Sequence, residues 1–347
     1  MSIQSRISAI CDLGQFFLFN FENETSHSEN LSKYKFLQEE FLNQLKLAEI
    51  KNPWFNQENI AFCLTQWGKL LTNENLEKWA NSYSYTNSPK NVGIIMAGNI
   101  PLVGFHDLIS VLISGHNAVI KTSSKDEVLI RWILNYLKNY DNDFNQSIQL
   151  VEKLQNVDAV IATGSNNTAR YFEYYFRDIP HIIRKNRTSI SVLDGTETSE
   201  ELKNLAIDIF RYFGLGCRNV TKLYLPKNYN TDLVFEAFFD WSNIINHPKY
   251  ANNYDYNRAI YLMAKESFLD NNFVILKPSS DLHSPIGVIN YEFYTNLDEV
   301  KLILNEKEEE IQCIVGNNFP IKFGKTQTPS LTDYADNIDT MKFLNSL

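Results

Sequence analysis

Val92-Gly-Ile-Ile-Met-Ala-Gly-Asn-Ile-Pro-Leu102 is a short apolar run that breaks at Gly98-Asn99. Past Pro101 it resumes as an apolar helical segment, from about Leu102 to Ser114, that stops at Gly115. Outward from this stretch the chain alternates. Ala118-Val-Ile-Lys121 reads as the next strand, and Thr122-Ser-Ser-Lys125 opens a helix running to Leu137. Val157-Asp-Ala-Val-Ile-Ala162 reads as a third strand, and Thr163-Gly164-Ser165 leads into a helix over 167–176. His181-Ile-Ile-Arg184 and Ser189-Ile-Ser-Val-Leu193 read as two more strands. Such alternation predicts right-handed crossovers and a parallel sheet, with ligands at the carboxyl ends of its strands. The turns there, Gly98-Asn99, Lys121 to Ser124 and Thr163 to Ser165, are small, polar or basic, as a nucleotide crevice needs. No GxGxxG occurs, so the ordinary dinucleotide fingerprint is absent.

Composition bounds the function. The chain has 347 residues, 44% of them apolar, enough for a sizeable core and about two domains. Acidic side chains outnumber basic ones by 41 to 32, for a net charge of -9. That excludes the basic footprint of a nucleic-acid binder. Cys11, Cys63, Cys217 and Cys313 are scattered, with no CxxC pair and no metal-ligand spacing, which predicts reduced thiols and no metal. No uninterrupted apolar run approaches the ~18 residues of a membrane span. A soluble cytoplasmic protein is the expectation. Residues 1 to about 87 read as aromatic-rich helices, with Leu37, Phe41 and Leu45 at i+4, and offer only packing. A turn follows over 87–91.

Beyond Asp194-Gly195 a second unit is expected. Its most informative segment is Phe213-Gly-Leu-Gly-Cys-Arg-Asn-Val220. A helical run, Leu202 to Phe213, leads in, and Val220 to Leu225 alternates like a strand up to Pro226. The glycines leave an approach path to Cys217 and permit unusual backbone angles. A thiolate, favoured by a nearby Arg or a helix end, attacks carbonyls. Taken alone, a free cysteine is more often a small buried hydrophobe. Aromatic-rich helices fill 233–269. Strands are expected at 273–276, 286–290 and 311–315, and a helix at 296–305.

Together these blocks resemble the aldehyde dehydrogenase superfamily, and within it the acyl-CoA reductases of the LuxC type. Ala97-Gly-Asn-Ile-Pro-Leu102, Ala118-Val-Ile-Lys-Thr-Ser-Ser124, Ala162-Thr-Gly-Ser165, Phe213-Gly-Leu-Gly-Cys217 and Asp281-Leu-His-Ser-Pro-Ile286 occur in the family's order. The resemblance covers roughly residues 88 to 325. It implies an α/β protein, with a Rossmann-type parallel-sheet cofactor domain plus a second α/β catalytic domain. The expected division is 1–190 for helices and cofactor domain, 191–320 for the catalytic domain, and 321–347 for a tail packed on the body or a partner.

Carried over residue by residue, the resemblance makes Cys217 the nucleophile and Asn99 a donor to the oxyanion. Lys121 would bind the adenosine ribose or its phosphate, with Ser123 and Ser124 sharing its crevice. Gly164 and Ser165 would lie near the cofactor diphosphate. Asp281, shorter than the usual Glu, would hold the nicotinamide ribose. Two departures are informative. Where hydrolytic members carry a water-activating Glu, this chain has Arg184, and a cation is no base for water. The acyl group is then exchanged with coenzyme A, whose phosphates the cluster of Arg184, Lys185 and Arg187 could meet; a solvated basic edge explains that cluster equally well. Ser124 stands where NAD-preferring members place a ribose-binding Glu, which favours NADPH, with NADH as the other candidate.

The expectation is an NADPH-dependent reductase turning a fatty acyl-CoA into the aldehyde through a thioester on Cys217. An acyl-phosphate reductase of the same superfamily and a non-catalytic nucleotide- or acyl-binding subunit of a reductase complex stay open. A thioesterase-like use of Cys217 with a histidine base has no supporting motif. A homo-oligomer or a partner enzyme is compatible with the polar tail.

Overall fold

The computed structural model describes residues 1–22, 31–86 and 88–347. Asn87, the first residue of the expected 87–91 turn, lies outside the described residues. The chain forms two compact units, Met1–Lys185 with Ser330–Leu347, and Asn186–Pro329.

The first unit opens with helices α1 (Ile3–Phe21), α2 (Leu31–Lys51), α3 (Gln57–Leu70) and α4 (Asn73–Ala80). Ser2, Asn56 and Thr72 start α1, α3 and α4 by accepting backbone amides of the first turn, which otherwise have no helical partner. Phe16, Phe41 and Trp132 pack ring on ring in the core of this layer.

The sheet region follows as β1 (Asn91–Ile95), α5 (Phe105–Ile113), β2 (Asn117–Lys121), α6 (Glu127–Tyr140), α7 (Phe144–Ser147), β3 (Ile148–Leu150), β4 (Ala159–Thr163), α8 (Asn166–Phe176) and β5 (His181–Arg184). The order is β3-β2-β1-β4-β5, and every pairing is parallel. Val92, Ile94, Ala118, Ile120, Val160 and Ile161 are buried, the run of apolar residues that a sheet covered on both faces requires. Winding reverses between β1 and β4, and Ile95 lies level with both Lys121 and Ala162. The carboxyl ends of the central strands therefore share one edge.

Two helices start later than their apolar patterns suggest, α5 at Phe105 rather than Leu102 and α6 at Glu127 rather than near Thr122. Leu102 takes a left-handed conformation, φ 59°, which no helix accepts. The short edge strand β3 was not expected from the sequence.

Residues 330–347 return to this unit. The Trp79 indole donates to the Tyr334 hydroxyl at 2.8 Å. His116 Nδ1 accepts the Lys90 amide, so its Nε2–H donates to the Leu344 carbonyl at 3.0 Å.

The second unit contains β6 (Thr188–Val192), α9 (Ser199–Phe210), β7 (Val220–Pro226), α10 (Asp232–Phe238), α11 (Pro248–Ala264), β8 (Leu269–Asp270), β9 (Ile275–Pro278), β10 (Val288–Tyr294), α12 (Leu297–Glu306) and β11 (Ile311–Val315). Its sheet runs β11-β6-β7-β10-β9-β8, parallel except for β8 against β9. A reciprocal cap between Thr198 and Glu201 starts α9. This helix stops at Phe210, three residues short of the expected Phe213, because the chain there turns left-handed. The last helix, α13 (Thr340–Asn345), belongs to the first unit.

Candidate active site

In the first unit, three loops leave the shared edge of the sheet. The β1 loop runs so close to the β2 loop that a Cβ on Gly98 would lie 2.7 Å from Ser123 Oγ, and so only glycine fits. Asn52 Nδ2 donates to the carbonyls of Gly98 and Lys125 at 3.4 and 3.3 Å, tying the two loops together. Asp126, fully enclosed, accepts the Leu102 amide on Oδ2 at 2.7 Å. Burial raises its carboxyl well above the usual range, and its Oδ1 is buried without a hydrogen bond. Asn99 is thus exposed on a short loop that is pinned on both sides. Lys121 and Ser124 are exposed, and Ser123 is half-buried. Ser165 caps α8 by accepting the Thr168 amide, directly after Gly164. The structure therefore brings Asn99, Lys121, Ser123, Ser124, Gly164 and Ser165 to one end of one sheet.

Those residues suit a dinucleotide. The Gly98 approach leaves backbone without a Cβ at the switch point, and the amino end of α8 favours anionic groups. Lys121 supplies a cation at the rim.

In the second unit, Cys217 is exposed on the turn between α9 and β7. Three consecutive residues before it, Tyr212, Phe213 and Gly214, are left-handed, with φ of 55°, 59° and 76°. Such a run occurs only where its surroundings impose it. The Cys217 carbonyl accepts from Ser189 Oγ at 3.0 Å, and the Phe213 ring lies against His247 at 4.2 Å.

Asp281 is exposed on the loop after β9. Four carbonyls of that loop are held from below: Ser279 by Lys222 Nζ, Asp281 and His283 by Asn290 Nδ2, and Leu282 by Thr221 Oγ1. Lys222 is fully buried and pairs with Glu292 at 3.0 Å. Burial lowers its ammonium below the usual range against the pull of Glu292. The cysteine turn and the end of this loop flank one narrow slot, lined by Phe213, Gly214, Thr221, Pro285, Gly287 and Val288.

The basic cluster needs correcting. Arg184 is buried, donates through Nη1 to Asp107 Oδ2 at 2.5 Å and through Nη2 to Thr340 Oγ1 at 2.9 Å. It neither faces solvent nor offers itself to phosphate. Lys185 pairs with Glu173, and Arg187 donates to the carbonyls of Glu308 and Ile311. Asp126, Asn219 and Lys222 escaped the sequence reading. Only Lys222 left a signal there, a charge inside the apolar run of β7.

A switch-point parallel sheet in one unit and a cysteine turn on a second, mostly parallel sheet define an aldehyde-dehydrogenase-like fold. Solved structures agree. Aldehyde dehydrogenase 21 from Physcomitrella patens, in complex with the reaction product succinate, has TM-score 0.69 at 12% identity, covering 100% of this chain and 84% of its own. The NAD-dependent aldehyde dehydrogenase from Sinorhizobium meliloti gives TM-score 0.64 at 14% identity, over 91% of this chain and 70% of its own. An aldehyde dehydrogenase from Mycobacterium tuberculosis, complexed with NAD+, gives TM-score 0.63 at 11% identity, over 91% of this chain and 73% of its own. Among curated proteins no sequence matches this chain significantly.

The model of the acyl-CoA reductase (LuxC) family matches residues 1–234, and the chain belongs to that family. It is an oxidoreductase that takes an acyl thioester to the aldehyde. No helix of the described residues is long and apolar enough to cross a membrane.

Proposed function

We propose that this protein reduces a fatty acyl-CoA to the aldehyde with NADPH, through a covalent thioester on Cys217. The observation that carries the reading is the exposed Cys217 on a turn whose backbone is fixed on both sides. Its sulfur attacks the thioester carbonyl, the carbonyl oxygen becomes an oxyanion, and coenzyme A leaves as the thiolate. The Asn99 amide is the donor to that oxyanion. A reduced nicotinamide cofactor, when bound, supplies the hydride. Breaking the bond between Cys217 sulfur and the reduced carbon then releases aldehyde and restores the thiolate.

Lys121, Ser123, Ser124, Gly164 and Ser165 hold the cofactor's adenosine and diphosphate portions, and Asp281 its nicotinamide ribose. With Ser124 at the rim instead of a carboxylate, a 2′-phosphate meets no like charge there. Arg184, committed to Asp107, offers no base to activate water, which favours acyl exchange with a thiol over hydrolysis.

The test is cofactor oxidation with a panel of acyl-CoAs, comparing wild type with Cys217→Ala. Oxidation that requires an acyl-CoA, releases free coenzyme A and disappears in the variant supports the reading. Release of phosphate from an acyl phosphate, with no turnover of any acyl-CoA, reassigns the substrate.

A further inference from the structure

We infer that Asn219 is the positioning residue of the nucleophile, the side chain that decides where the Cys217 turn stands and how it is strained. The inference rests on the reading of Cys217 as nucleophile. Asn219 lies two residues beyond the cysteine and is completely buried. Its Nδ2 donates to the carbonyls of Asp208, Ile209 and Arg211 at 3.3, 3.2 and 2.6 Å. Its Oδ1 accepts the Gly216 amide at 2.8 Å, and its own amide donates to the Gly216 carbonyl at 3.0 Å. Its carbonyl accepts the Ser189 amide at 3.1 Å, joining the turn to β6.

One amide thus serves two structures at once. The last carbonyls of α9 have no helical partner, and here the Nδ2 group satisfies them in place of water. Because α9 ends on this side chain, the chain leaves it through the left-handed run Tyr212, Phe213 and Gly214. A left-handed residue with a side chain costs about 1–2 kcal/mol, so two in succession need a strong local constraint. Asn219 supplies it from one end, and its Oδ1 fixes Gly216, the residue bonded to Cys217, from the other. Only a side chain with a donor pair and an acceptor on one short stem meets both demands. Asp presents two acceptors to three carbonyls, and Ser cannot span the gap. The sulfur of Cys217 then emerges from a turn with almost no freedom, as a reacting atom requires.

Two experiments test this. The first measures the second-order rate of Cys217 alkylation by iodoacetamide in wild type and Asn219→Asp, across pH, as a ratio at each pH. At alkaline pH the carboxylate faces carbonyl oxygens, and the ratio falls at least about tenfold. As pH drops the acid regains a donor and the ratio climbs back toward one, which a merely loosened fold does not do. A folded variant with wild-type alkylation at every pH overturns the proposal. The second uses wild type alone and covers the case in which the variant does not fold. The Gly216 amide, in a half-exposed turn, exchanges with deuterium at least about a hundredfold slower than an unstructured amide. Exchange at the unstructured rate overturns the proposal. Neither readout needs substrate, so a wild type lacking reductase activity would sink the functional reading and leave this inference standing or falling by itself.

Discussion

Asp126 Oδ2 accepts the Leu102 amide at 2.7 Å, and Leu102 is held left-handed three residues after Asn99. The loop carrying Asn99, the proposed oxyanion donor, is therefore anchored by a carboxyl that burial raises well above the usual range. Asp126→Leu leaves a buried N–H unsatisfied and should cost roughly 1–3 kcal/mol of stability. It should also lower kcat with little change in KM, because Asn99 loses its placement. Asp126→Asn keeps the acceptor and should restore both. Asn99→Ala sets the ceiling, a loss of about 10²–10³ in kcat. Melting curves and steady-state kinetics on the three variants decide the matter. Full turnover in Asp126→Leu would detach this carboxyl from the Asn99 loop.

Ser124→Glu should move cofactor preference toward NADH. A carboxylate at this exposed position accepts ribose hydroxyls and repels a 2′-phosphate, a like-charge contact worth several kcal/mol across an interface. Initial rates with both cofactors should shift in their ratio by at least about tenfold. An unchanged ratio places the 2′ position elsewhere.

The Asp107–Arg184 pair is enclosed, with Asp107 Oδ1 and Arg184 Nε lacking hydrogen bonds. Removing one partner strands a buried charge. Asp107→Leu should cost roughly 3–5 kcal/mol, and the double variant Asp107→Leu with Arg184→Met should recover most of it. Denaturant melts of the singles and the double give the coupling. Additive losses would mean that the pair is not coupled.

Asp208 accepts from the Gly324 and Thr326 amides and from the Thr326 hydroxyl, holding the segment after β11 against α9. Burial raises its carboxyl to about 6 from 3.8 despite those bonds. The sign follows from linkage: a raised carboxyl contributes stability that is fully present below 3.8 and lost as pH rises through about 6. The stability of wild type relative to Asp208→Asn should therefore decline by roughly 3 kcal/mol across that window. A pH-independent difference would place the titration elsewhere.

Much of the architecture was legible because parallel strands buried on both faces write themselves as apolar runs. Val92 to Ile95 and Ala118 to Lys121 are such runs, each closed by the polar turn that a carboxyl end requires. The edge strand β3 left no mark, since three residues with Gln149 at the centre carry no periodicity. Arg184 misled for the opposite reason. Three cations within four residues read as a charged edge, yet Arg184 sits on β5, where the pleat turns its side chain to Asp107. Asn219 could not be read at all. Its bonds run to backbone carbonyls eight to eleven residues upstream, and backbone partners have no signature in side-chain sequence.

The return of residues 330–347 to the first unit bears on the order of events during synthesis. The second unit is continuous in sequence and draws its packing from Asn186–Pro329 alone. The first unit, although begun earlier, waits for residues 330–347, because Trp79, His116 and Arg184 hold partners there. Until then those polar groups lack these partners, so the unit begun first is the one completed last.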